Sequence, residues 1–187
     1  MGRWEPNARG RLERAALELY GELGYEQTTV AEIARRAGLT ERTFFRHFAD
    51  KREVLFSGSG GLREALMNAV AAAPAGATPL DAVVAALEAV GDGFPLEQRA
   101  ASRRRQGIIA ANAELREREL VKLASLGATL AEALRRRGVA EATASLTAEV
   151  GIALFRVTFE RWLDERNDRE FGQLLLDSRD QLKAATA

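Results

Sequence analysis

Apolar residues recur along this chain at intervals of three and four, the spacing that lines one face of an α-helix. No segment alternates apolar and polar residues between turn dipeptides as a strand does. Over residues 8–23, Leu12, Ala16, Leu19 and Leu23 share a face with Ala15 and Tyr20 beside it, while Glu13, Arg14, Glu18 and Glu22 lie opposite; Gly24 supplies the stop. Thr29-Val30-Ala31-Glu32 reads as a capping box, in which the threonine hydroxyl caps an early N–H and Glu32 reaches back. The short helix it opens turns Val30, Ile33, Ala34 and Ala37 inward and ends at Gly38. Thr40 caps a second short helix that buries Phe44 and Phe48, and Asp50 caps a third start at Lys51-Arg52-Glu53. From Lys51 to about Ala73 the pattern predicts a longer helix. It is weakened by Ser57-Gly58-Ser59-Gly60-Gly61, since each glycine costs about 1 kcal/mol in a helix interior.

The stretch from Pro74 to Pro79 breaks the chain again. Thr78 then caps a helix with Pro79 in its first position and Leu80, Val83, Val84, Leu87 and Val90 inside. Further helices are expected from about Leu96 to Ala110 and from Ala113 to Arg135-Arg136-Arg137, where cations suit a helix C-terminus and Gly138 its cap. The last two, about 141–165 and 168–184, carry apolar faces too broad for a monomer. Val150, Leu154, Val157, Phe159 and Leu163 mark the first; Phe171, Leu174, Leu175, Leu176 and Leu182 mark the second. The expectation is an all-α fold of about nine helices without internal repeat. A three-helix head over residues 1–52 precedes a larger helical body over 53–187, whose last two helices pair with their symmetry mates in a homodimer.

Composition narrows the function. With 187 residues, 47% hydrophobic and 29% charged, the chain has enough apolar surface for a sizeable core. It has no cysteine, so disulfides, thiol nucleophiles and Cys-ligated zinc are excluded, and a cytoplasmic location is expected. The N-terminus lacks an apolar signal-like stretch, and no run of about 18 apolar residues occurs, so neither a secretory signal nor a membrane span is expected. A single histidine and no phosphate-cradling glycine loop argue against an enzyme, a metal or a cofactor. Net charge is zero, but residues 1–52 hold ten basic and eight acidic side chains, leaving the small deficit to the rest. Nucleic-acid binding must therefore rest on where charge sits, not on its total.

The informative unit is Thr29 to Phe48: one helix, a tight Ala-Gly-Leu turn, and a second helix. This is the arrangement of a helix-turn-helix, with small Ala34 permitting a close crossing and Gly38 the turn. The second helix offers its polar edge to a major groove. Thr40, Glu41, Arg42 and Thr43 reach base edges or phosphates, N–H groups near Thr29 and Thr40 suit phosphate oxygens, and Lys51 is placed to clamp another. Arg36, Arg46 and His47 complete the candidate surface, Arg46 toward phosphate and His47 as a phosphate contact or a packed corner residue.

Gly24-Tyr25, Thr28-Thr29-Val30, Ile33-Ala34, Ala37-Gly38, Thr43-Phe44-Phe45, Phe48 and Lys51 together resemble the N-terminal signature of the TetR family of repressors, over about residues 8–56. The remainder is similar only in length and helix count. The family usually places Tyr where this chain has Phe45. The resemblance gives Phe45 a DNA-facing position without the hydroxyl that normally serves the backbone. It also implies a homodimer that binds double-stranded operator DNA, blocks transcription, and is released by a small apolar or amphipathic effector. An activator with the same DNA-binding mode, or a helical adaptor without DNA binding, is the alternative. Candidate effector-pocket residues are Leu66, Leu87, Phe94, Ile108, Phe155, Phe159 and Trp162, with Arg104 from the Arg103–Arg105 run facing inward to meet an anionic group.

Overall fold

Helices start where a side chain or a proline answers the unpaired N–H groups of a first turn, and this chain places such residues often. The computed structural model describes residues 7–59, 61–91 and 93–186. Among them are nine α-helices and no strand: α1 Ala8–Glu22, α2 Val30–Arg36, α3 Glu41–His47, α4 Leu62–Ala72, α5 Pro79–Gly91, α6 Arg99–Ala111, α7 Ala113–Arg136, α8 Glu141–Leu163 and α9 Phe171–Ala185. The continuous helix expected from Lys51 to Ala73 is not formed. A 3-10 stretch over Glu53–Ser59, non-helical at Phe56, precedes α4, which starts only after Gly61. Another 3-10 turn, Leu96–Gln98, occupies the expected start of α6.

The chain forms two compact units. Met1–Gly58 with Arg103–Glu119 make the first; Ser59–Ser102 with Leu120–Ala187 make the second. The chain therefore passes from the second unit into the first within α6 and returns within α7.

In the first unit, α1, α2 and α3 pack around Leu12, Ala16, Leu19, Tyr20, Ile33, Phe44 and Phe48. Ile109 and Leu115, from the segment around Asn112, are fully buried in this same cluster. Leu23, expected on the inner face of α1, lies just past its end and is 48% exposed. Gly24 and Gly38 follow α1 and α2 with φ of 87° and 66°, the left-handed region that favours glycine. Asp50 caps as expected, taking the N–H groups of Arg52 and Glu53 at 2.8 and 3.1 Å, but it opens the 3-10 stretch.

In the second unit α5 packs on α4, α8 and α9. The approach of α8 to α5 depends on Gly151: a Cβ there would lie 2.5 Å from Cγ1 of Val83. Leu154, Phe171, Leu174 and Leu175 are buried inside this unit, so they do not belong to an intersubunit face as the apolar count suggested. α4 ends against Arg137, whose guanidinium donates to the carbonyls of Val70, Ala73 and Pro74 at 2.8–2.9 Å. By length and composition α8 is long and apolar enough to cross a membrane. One face of it, Ala144, Ala148, Gly151, Leu154, Thr158 and Trp162, is buried among neighbouring helices, and most of the rest is partly or wholly exposed.

Candidate DNA-binding site

The capping box at Thr29 is complete. Glu32 N–H donates to Thr29 Oγ1 at 3.2 Å, and Thr29 N–H donates to Glu32 Oε2 at 2.8 Å. The Thr29 hydroxyl also donates to Glu32 Oε2, at 2.8 Å, and the two Thr29 donors hold the Glu32 carboxyl below its ordinary range, the backbone N–H first and the hydroxyl second. α3 begins likewise: Thr43 N–H donates to Thr40 Oγ1 at 3.2 Å, and the two hydroxyls lie 3.1 Å apart. These caps fix the start of each helix, and Gly38 turns the chain between them.

The corner is anchored from inside. Phe44 is fully buried and Phe48 nearly so, their rings 5.4 Å apart. That leaves the opposite edge of α3 in solvent. Thr40, Glu41, Arg42 and Arg46 are exposed, and Thr43 is half-buried. Phe45 is 56% exposed, an unusual setting for a large apolar ring, and meets Phe44 edge-on. Arg42 and Arg46 make no hydrogen bond or ion pair with the described residues, so both guanidinium groups are available to an outside acceptor. His47 is half-buried against Phe48 with its Nε2 shielded and unpartnered.

Two of the candidate cations are engaged within the protein. Arg36 makes a two-pronged ion pair with Glu22 of α1, at 3.0 and 2.7 Å, and reaches Glu18 at 3.5 Å. The pairing raises the arginine further above its ordinary range and, through the same hydrogen bonds, lowers the Glu22 carboxyl. Lys51 Nζ donates to the carbonyls of Tyr25, Glu26 and Thr28 at 2.9, 3.2 and 3.0 Å and sits 4.4 Å from the Tyr25 ring centre. Three donors are all an ammonium has, so Lys51 ties down the chain between α1 and α2. Tyr20 closes the same knot by donating its hydroxyl to the Lys51 carbonyl at 2.6 Å, and burial pushes its ionisation up. Arg11, which sequence reasoning passed over, donates from α1 to the carbonyl of Ala37 and so holds the turn. No local pattern marks it, because its acceptor lies 26 residues on.

The expected pocket residues are divided. Leu66, Leu87, Phe94, Phe155, Phe159 and Trp162 belong to the second unit; Arg104 and Ile108 belong to the first. Arg104 is exposed and lines a shallow groove with Tyr20, Tyr25, Ile108 and Asn112. The inward-turned member of the run is Arg105: it donates to the Leu55 carbonyl, lies 5.3 Å from the Phe56 ring centre, and is lowered by burial. In the second unit Phe94, Phe155, Phe159, Trp162 and Phe171 form one ring cluster, with centres 5.1–6.1 Å apart.

Residues 13–57 match the family described as bacterial regulatory proteins, tetR family, and residues 77–187, over half the chain, match the MftR C-terminal domain of the TetR group. The chain belongs to the TetR family. It is a DNA-binding transcriptional regulator with an N-terminal helix-turn-helix. TetR-family proteins bind DNA and small molecules and typically act as dimers. Among relatives, the chain is 46% identical over 82 residues to the HTH-type transcriptional regulator TcmR of Streptomyces glaucescens. The match covers 44% of this chain and little more than a third (36%) of TcmR. Similar solved folds include Thermus thermophilus FadR, a TetR-family repressor in complex with lauroyl-CoA (24% identity, 93% of this chain and 92% of that one, TM-score 0.55). The SmeT–triclosan complex is also similar (20%, 95% and 90%, TM-score 0.64); SmeT is the repressor of a Stenotrophomonas maltophilia multidrug efflux pump.

Proposed function

We propose that this TetR-family regulator is a repressor that binds a near-palindromic operator as a homodimer and leaves it when a small apolar or amphipathic molecule binds the second unit. The observation that carries the DNA-binding half is the solvent edge of α3, where Arg42 and Arg46 stand unengaged beside Thr40, Glu41 and Thr43. Arg42, near the start of the helix, reads a base, by a two-pronged bond to guanine; Arg46, a turn later, meets phosphate. Phe45 packs on sugar or a thymine methyl. Thr29 offers the first turn of α2 to a phosphate oxygen. Arg36 and Lys51 support this surface from behind.

Dimerisation is supported by α8, on which Leu146 (69% exposed) and Val157 (50% exposed) recur with Val150 and Ala153 at alternating intervals of four and three. Such a stripe suits pairing with its symmetry mate beside α9. A two-fold dimer presents two copies of α3 about one DNA turn or slightly more apart, hence the inverted-repeat operator. The ring cluster of the second unit supports an apolar effector, as do the lauroyl-CoA and triclosan carried by the similar folds. An effector that favours the DNA-incompetent state lowers operator affinity by the ratio of its affinities for the two states. DNA as partner makes the cytoplasm the place of action.

In-vitro selection from random duplexes tests this reading. Enrichment of an inverted repeat, bound with steep salt dependence by two chains, is expected. Loss of Arg42 then relaxes preference at one position per half-site, at about 1–3 kcal/mol. A promoter-reporter assay separates repression from activation, and a strictly monomeric chain or a selection without enrichment refutes the proposal.

A further inference from the structure

Of the seven side chains of α3, Phe45 is the one that is both apolar and exposed. It is 56% exposed, yet its ring is held: it stands edge-on to Phe44 at 82°, with centres 5.5 Å apart, and Phe44 is fully buried. A ring placed in advance by a core residue gives up little freedom when something covers it. The hydroxyls at the start of the helix are occupied locally, Thr40 Oγ1 lying 3.1 Å from Thr43 Oγ1 and accepting from the Thr43 N–H at 3.2 Å. The outer edge of α3 is therefore left to Glu41, Arg42, Phe45 and Arg46, all exposed.

Position along the helix decides what covers the ring. Glu41 and Arg42 precede Phe45 by four and three residues, the spacings that make helical side chains neighbours. The walls of a major groove are phosphate, which offers acceptors and negative charge. The row of Glu41 and Phe45 has nothing to give such a wall. A carboxylate accepts and repels, and a phenyl ring has a negative face and no polar hydrogen. That row therefore faces base edges, away from the phosphates and the sugars that carry them. Among the base edges of the major groove, the apolar group is the methyl on C5 of a pyrimidine. Phe45 lies about 4.5 Å beyond Arg42 along the helix axis, close to the ~3.4 Å step between base pairs. The methyl in its reach belongs to the base pair beside the one that Arg42 reads.

Resting on the operator-binding reading above, we infer that Phe45 is a specificity residue that reads the C5 methyl of a pyrimidine, in the base pair next to the guanine taken by Arg42. Thymine carries that methyl and so does 5-methylcytosine; uracil and plain cytosine lack it. Operator affinity thus depends on one methyl group per half-site, and methylation of a cytosine at that step adds a contact. The test uses the full chain, duplexes obtained by in-vitro selection, and fluorescence anisotropy. Each thymine is replaced in turn by deoxyuridine, symmetrically in both half-sites, which removes the methyl and leaves sugar and pairing unchanged. One position beside the guanine loses about fourfold per half-site, or about fifteenfold for the two, as expected for one buried methyl group each. Phe45→Ala binds the operator more weakly, and there the same replacement changes affinity by less than about twofold. At that position 5-methyldeoxycytidine, paired with guanine, binds the unaltered chain about fourfold per half-site more tightly than deoxycytidine does, and binds Phe45→Ala equally; this arm separates the methyl from the O4 of thymine. Thermal melts confirm that Phe45→Ala is folded. A half-site without thymine beside the guanine, equal affinity for the two cytosines, or a deoxyuridine loss as large in Phe45→Ala as in the unaltered chain overturns the inference. Weaker binding by Phe45→Ala with no thymine sensitive to deoxyuridine makes the ring a sugar contact and overturns it as well. A selection without enrichment sinks the operator-binding reading, whereas an enriched operator bound without regard to the methyl sinks this inference alone.

Discussion

Replacing Lys51 with Met separates a structural lysine from a phosphate clamp. Methionine keeps the apolar stem and removes the ammonium, which donates at 2.9, 3.2 and 3.0 Å to the carbonyls of Tyr25, Glu26 and Thr28. The bond to Glu26 is solvent-exposed, and water takes its place at little cost. The bonds to Tyr25 and Thr28 are part-buried, and charge-assisted hydrogen bonds contribute about 1.5–3 kcal/mol each. Taking the low end for both, because water still reaches this edge, the loss is about 3 kcal/mol, with the contact to the Tyr25 ring lost besides. For a chain of this size that lowers the melting temperature by roughly 6–12 °C. Circular dichroism melts measure the shift. Fluorescence anisotropy on selected operator DNA, taken well below the melt, measures affinity, which is expected to stay within about twofold at an unchanged salt slope. An unmoved melt together with uniformly weaker DNA binding and a salt slope reduced by about one would refute the structural role and make Lys51 a phosphate contact.

Other substitutions test other parts of the fold. Gly151→Ala gains about 1 kcal/mol of helix propensity but drives a methyl into Val83, at an overpacking cost of about 2–3 kcal/mol; a net loss of about 1–2 kcal/mol is expected in denaturant titration, and a gain refutes the close approach. Thr29→Ala removes half of the capping box and destabilises the first unit by about 1 kcal/mol, read by hydrogen exchange in α2. Asp50 is held below the ordinary carboxyl range, chiefly by hydrogen bonds from the Arg52 side chain. A depressed folded value means that its stabilisation is present above about pH 4 and is lost as pH falls toward the folded value. Asp50→Asn is therefore expected to flatten the acid limb of the stability curve slightly, the group being more than a third exposed, and an unchanged acid limb counts against the pairing.

What was legible in the sequence was what is decided locally. A threonine followed three residues later by a glutamate, or a glycine after the last periodic position, states its physics within one turn, and the caps of α2 and α3 and the left-handed glycines at 24, 38 and 138 were expected and are present. The cations were harder. Arg36 and Lys51 looked like DNA contacts because both lie near the recognition helix, yet their acceptors within the protein are 14 to 26 residues away in the chain, on elements whose approach only the tertiary fold decides. The same limit explains Arg104 and Arg105, adjacent arginines of which the second is the one turned inward. It also explains the last two helices, where apolar periodicity announced a face to be covered without saying by what. Phe171 and Leu175 are covered from within their own unit, whereas Leu146 and Val157 are left to solvent. The expected helix from Lys51 fails earlier than its glycines alone predict: the chain is 3-10 from Glu53 and non-helical at Phe56, and α4 starts only after Gly61.

The head of this regulator is not a contiguous piece of chain. Ile109 and Leu115 are as deep in it as Leu12 or Phe44, although they are encoded some fifty residues after Gly58. Arg52 and Glu53 are bonded to Glu114 and Arg118 in the same unit, at 2.6 and 2.8 Å. A graft that transfers only residues up to Gly58 onto another protein would carry a hollow where those two side chains belong, and would lose the ion pairs of Arg52 with Glu114 and of Glu53 with Arg118. Swapping the operator preference of such regulators by exchanging their N-terminal segments thus calls for carrying residues 103–119 along, or for redesigning the apolar surface they leave behind.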